Sequence, residues 1–133
     1  MAKAVLEKSE FLHNCSAPFQ DDIAQLMVPC DCQEGHIFIN EGDRITSFLI
    51  VESGTLYRTK RRTEEGSEVE VPFQIDVMGP GRVTGFLHVA GASSDEEVAF
   101  ATIVAGKGGA RVWEVSGGDF RKMCESNPMV SKS

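Results

Sequence analysis

GPGRVTGFLHVAG, residues 79–91, contains four glycines and one proline within thirteen positions. The glycines bend a strand outward into a loop, and the apolar run Phe86 to Ala90 then starts a helical turn. Loops built this way present backbone N–H groups to anions. Two readings stay open at this point: a phosphate seat, or a bend closed by an apolar plug.

The segments on either side read as strands separated by glycine turns. Upstream come His36 to Ile39, the turn Glu41-Gly42-Asp43, Phe48 to Val51, the turn Glu52-Ser53-Gly54, and Thr55 to Thr59. Val69, Val71, Phe73, Ile75 and Val77 alternate with other side chains, the strand period. Downstream, Phe100 to Val104 and Arg111 to Val115 flank Gly106-Lys107-Gly108-Gly109. Two helices frame the strands. Ser16 caps the first, Pro18 lies in its opening turn, and Phe19, Ile23, Leu26 and Met27 share a face before Pro29 ends it. The second runs through Asp119 to Cys124. Many short strands with a helix at each end predict an all-β barrel or jelly roll with helical additions. Residues 1–10 read as a polar leader, 11–128 as one domain and 129–133 as a tail.

The chain has 133 residues, enough for one core and too few for two. Its net charge of −7 and lack of a basic groove exclude a nucleic-acid partner. Lys60-Arg61-Arg62 is followed at once by Glu64-Glu65 and reads as a solvated hairpin tip. No apolar run reaches membrane-helix length, so no membrane insertion by this segment is expected. The four cysteines lack a secreted disulfide pattern, which points to a reducing, cytoplasmic setting. Cys30-Asp31-Cys32, near His36, His13 and Cys15, is too tightly spaced for a zinc site, and both thiols are expected to pack on one strand face. No cofactor, catalytic residue or metal ligand is expected.

The turn phrases taken in order resemble the cyclic nucleotide-binding domain family. They are Gly35-His36-Ile37-Phe38 with Glu41-Gly42-Asp43, Phe48-Leu49-Ile50-Val51-Glu52-Ser53-Gly54, and Met78-Gly79-Pro80-Gly81 with Gly85. Ala101-Thr102-Ile103-Val104-Ala105 and Asp119-Phe120-Arg121-Lys122 with Asn127-Pro128 complete the set. The resemblance implies a mainly β fold, a double-stranded β-helix or jelly-roll barrel flanked by short N- and C-terminal helices. It also places the quoted stretch on the family's phosphate-binding cassette. Members typically continue F-G-E-[LI]-A-[LI] and later P-R-x-A-T, where the Glu accepts from the ribose 2′-hydroxyl and the Arg pairs with the cyclic phosphate.

Gly85, Leu87, Ala101 and Thr102 match that pattern, but Phe86 stands at the Glu, Val98 at the Pro and Ala99 at the Arg. Asp95-Glu96-Glu97 adds negative charge beside the expected phosphate. The candidate ligand-binding residues are therefore Gly85, Phe86, Leu87, His88, Ala99 and Phe100, with Arg82 either a substitute cation or an exposed barrel-corner residue. Phe86 either closes the pocket by core packing or lines an apolar slot; His88 has no evident partner.

The expected function is a non-catalytic regulatory module that does not hold cAMP or cGMP in the usual way. The alternatives are a genuine cyclic nucleotide sensor with an unusual phosphate grip and, remotely, a jelly-roll metal enzyme. Expected partners are a small ligand in the barrel pocket and a covalently attached effector domain or partner protein. Residues 129–133 are too short for the lid helix of signalling members, so the reading allows either a domain of a larger protein or a stand-alone remnant.

Overall fold

A computed structural model describes residues 2–63, 66, 70–89 and 98–126. Ser16 accepts a hydrogen bond from the Phe19 N–H at 3.3 Å, which starts α2 (Ala17–Leu26) with Pro18 in its first turn. Gln20 is buried in this helix, and its amide is satisfied by the Leu12 carbonyl at 2.9 Å. Met27 is already extended, and Pro29 lies in the following strand, β1 (Val28–Cys32), instead of merely terminating the helix. β1 is a sheet edge, where the missing proline N–H costs no ladder bond.

The sheet runs β1-β6-β3-β4, all antiparallel, from β3 (Ser47–Thr63), β4 (Glu70–Met78) and β6 (Thr102–Ser116). β2 (Ile37–Ile39) adds to β6 and β5 (Val83–Thr84) adds to β3. With α3 (Phe86–Val89) and α4 (Gly117–Ser126) this is the mainly β jelly roll with short flanking helices. α1 (Ala2–Glu7) precedes them.

Phe48, Leu49, Ile50 and Val51 are all buried because β3 is covered on both faces. Phe48 and Ile50 join a cluster beneath the helices with Leu6, Leu12, Ile23 and Phe120. Leu49 and Val51 join the barrel interior with Leu56, Met78, Ile103 and Val112.

Two expectations are corrected here. The segment read as a polar leader includes α1, whose Val5 and Leu6 are buried; the surrounding Lys and Glu residues concealed two core side chains. The strands read as separate on either side of Gly54 are one strand, as are those around Gly108 and Gly109. In the first case the ladder slips register between Gly54 and Leu56. Gly54 takes φ +77°, and a Cβ there would collide with the Gly109 carbonyl oxygen, so glycine makes a bulge and not an end. In β4 the alternation resolves with Ile75 and Val77 facing outward and Met78 buried.

Candidate functional site

The quoted stretch leaves β4, turns a corner and re-enters as β5. Val51 N–H donates to the Arg82 carbonyl at 3.0 Å and Gly81 N–H to the Val51 carbonyl at 2.8 Å. The N-terminal segment clamps this corner from outside: Glu10 N–H reaches the Gly81 carbonyl at 2.8 Å, and the Glu10 carboxylate accepts from Val83 N–H at 2.7 Å. Gly85 then takes φ +89°, and Val89 N–H closes α3 on the Gly85 carbonyl at 3.2 Å.

α3 begins with Phe86. Its ring lies 4.8 Å from Phe11, 5.2 Å from Phe48 and 5.6 Å from Phe120, all tilted or edge-on. The ring is thus packed into the helical core, yet it does not fill the barrel mouth. A cavity of about 520 Å³ remains beside it, within the size range of small-molecule sites. Of the two readings of Phe86, the structure supports packing without closure: the ring is both core and wall.

Gly85, Phe86, Ala99 and Phe100 all line this cavity, so the fold gathers most of the sequence-derived candidates. Ala99 is 5% exposed and lines the cavity with a methyl group only. Its backbone is fixed against the Asp43 turn, since Ala99 N–H donates to the Asp43 carbonyl and accepts from Gly42 N–H through its own carbonyl, both at 2.8 Å. Leu87 and His88 belong to α3 by backbone, but their side chains lie outside the described residues. The Asp95-Glu96-Glu97 charges, Asn127-Pro128 and the 129–133 tail also lie outside the described residues.

Of the two readings of Arg82, substitute cation and exposed corner residue, the geometry agrees with the second. It is absent from the cavity wall, and its guanidinium pairs with Glu10 at 3.6 Å and Asp76 at 3.7 Å instead. Those two carboxylates, spread along the outer corner, draw it away.

Two cations do reach the cavity, Arg44 and Arg58, and sequence reading passed over both; Arg58 is the better held. It donates to Asp76 at 3.3 Å and to the buried Thr84 hydroxyl at 3.1 Å, with its guanidinium 5.4 Å from the Phe100 ring centroid. Lys60 approaches the same ring at 5.7 Å and donates to the Phe100 carbonyl at 3.1 Å. Phe100 is nevertheless 56% exposed. Arg44 and Glu114, both exposed, add one charge of each sign to the wall. Alternation was the available signal, because Leu56 and Arg58 share a strand face; what it lacked was which face turns inward.

Among the described residues no three His, Cys, Asp or Glu side chains converge to hold a metal. Cys30 and Cys32 do share one face, with their sulfurs 2.9 Å apart. Burial pushes the Cys32 thiol up to about 12, with the Cys30 hydrogen bond adding to it. His13 contacts the Ser9 carbonyl at 2.8 Å and His36 stacks edge-on against Phe38 at 4.8 Å. No described helix is long and apolar enough to cross a membrane.

No curated protein matches the chain significantly. Solved structures do. The regulatory domain of Toxoplasma gondii PKA with cAMP superposes with a TM-score of 0.72 at 20% identity, covering 92% of this chain and 42% of that one. The N-terminal domain of a transcriptional regulator from Streptomyces coelicolor A3(2) gives 0.75 at 18% identity, covering 96% and 82%. A regulatory subunit of a cAMP-independent protein kinase A from Trypanosoma brucei, a triple mutant bound to cAMP, gives 0.73 at 16% identity, covering 97% and 44%. The chain therefore spans less than half of two of these three relatives. Residues 30–127 match the family model of the cyclic nucleotide-binding domain, and with the barrel, the corner and the α3 turn in their places, the chain belongs to that family.

Proposed function

We propose that the domain is a non-catalytic regulatory module that does not hold cAMP or cGMP through the family's usual charged contacts. The observation that carries this is the pair of substitutions facing one cavity: Phe86, whose ring is committed to Phe11, Phe48 and Phe120, and Ala99, a methyl group. A ribose hydroxyl set against the Phe86 ring finds no acceptor there, and an unpaired buried polar group costs about 1–3 kcal/mol. Loss of a desolvated guanidinium–phosphate pair costs about 2–5 kcal/mol, roughly 30- to 3,000-fold in affinity. Arg82 does not compensate from its outer position. The Trypanosoma brucei neighbour supports the same logic: it is described as cAMP-independent, and one substitution in its cAMP-bound mutant replaces threonine with arginine.

The remaining 520 Å³ favours a ligand of other chemistry over a closed remnant. Regulation then consists of relaying occupancy of the barrel mouth to an attached domain or partner protein, through the N-terminal clamp at Glu10 and Phe11. Calorimetric titration with cAMP and cGMP tests the exclusion. No saturation is expected in the micromolar range, and a Kd below about 100 μM for either nucleotide would overturn it.

A further inference from the structure

We infer that the barrel mouth is a site for a singly charged organic anion with an apolar planar body, such as an aryl carboxylate, anchored by Arg58. The inference rests on the preceding reading that the site does not take cyclic nucleotides, and it names the ligand class.

The Arg58 guanidinium carries five N–H donors. Asp76 takes one from Nη1, while Met78 and Thr84 take both from Nη2 at 3.6 and 3.1 Å. The Nε–H and the second Nη1–H remain uncommitted among the described residues. Thr84 and Asp76 therefore hold the fork in place without exhausting it, as a preorganised anchor requires. Arg58 is also partly desolvated, with its side chain 22% exposed, which strengthens a charge-assisted bond relative to one at the open surface.

The apolar part of the wall selects the body of the ligand. Phe38, Ile39, Leu49, Phe86 and Ile103 form it, beside the hydroxyls of Thr46 and Ser47. Phe100 is the exposed aromatic face on which Arg58 already rests, so a planar group stacking there lies beside the guanidinium. Glu10, Asp43 and Glu114 line the same cavity and disfavour a dianion. Arg44, without an ion-pair partner among the described residues, offsets one of the three, so attraction for an anion is local to the Arg58 fork and favours a single charge.

The test is calorimetry of the full chain with 2-naphthoate and its neutral counterpart 2-naphthamide. The carboxylate is expected to bind at least about tenfold tighter than the amide. Arg58→Gln should bring the ratio to about one, while Arg82→Gln should leave it unchanged. Phe100→Ala, at an exposed ring whose loss spares the core, should weaken both compounds together. Equal affinity for the two compounds in the native protein overturns the inference, as does a ratio that survives Arg58→Gln. Binding unaffected by Phe100→Ala also overturns it, and neither that variant nor the native ratio depends on the folding of Arg58→Gln. Titration with cAMP separates the two readings. Saturable uptake abolished by Arg58→Gln would overturn the exclusion of cyclic nucleotides while supporting the anchor; uptake insensitive to that change would overturn both.

Discussion

Phe86 and Phe11 pack with tilted rings, centroids 4.8 Å apart, joining the first residue of the α3 turn to a residue far upstream held at φ +40°. A non-glycine residue at positive φ is strained, and the packing of Phe11 on Phe86 helps to offset that strain. Phe86 therefore has a structural use in the helical core as well as a place on the cavity wall.

Phe86→Ala should destabilise the domain by about 2–3 kcal/mol, less than for a fully buried ring because one edge faces the cavity. Urea denaturation measures this. A loss below about 0.5 kcal/mol would show that the ring contributes only as a wall.

Ala99→Arg should restore a cation at the cavity wall without disturbing the aromatic cluster. Affinity for cAMP is expected to rise at least about tenfold, read by calorimetry. Unchanged affinity in a folded variant would place the barrier elsewhere than the missing guanidinium.

Gly85→Ala combines φ +89° with a Cβ placed 2.9 Å from the Ser47 carbonyl oxygen. The expected cost is about 1–3 kcal/mol, visible as a lower melting temperature. A neutral result would mean that the corner relaxes around the added methyl group.

Cys32 makes stability fall at alkaline pH. Burial disfavours its thiolate, so in the folded chain it titrates near about 12, against 9.0 for an unperturbed thiol. The unfolded chain gives up this proton first. The contribution is fully present below pH 9 and declines as pH rises toward about 12. The stability advantage of wild type over Cys32→Ala should therefore shrink between pH 8 and about 10.5 in urea titrations. A constant gap would argue against the raised value.

Much of the architecture could be read before any coordinates. Ser16 and Pro18 marked the start of α2 through local chemistry, and the apolar run Phe48 to Val51 marked a strand. Val5 and Leu6 were missed because two apolar residues among charged neighbours make no period. The strand breaks at Gly54 and Gly109 were misplaced because glycine at a bulge and glycine at a turn look alike in sequence. Ile75 and Val77 displayed the strand period without revealing that their face is the exposed one.

For the site, the chain order carried the family resemblance, which is a matter of which residue follows which glycine. The grouping of Arg58 with Asp76, Thr84 and Phe100 depends instead on partners 18, 26 and 42 positions away. Strand register places those partners, and a slip of one residue would have turned Arg58 to the opposite face of the sheet. The same holds for the cavity, whose volume is what remains after the Phe86 ring settles among three others. Local sequence encodes conformational preference, whereas the space between distant side chains arises only when the whole barrel closes.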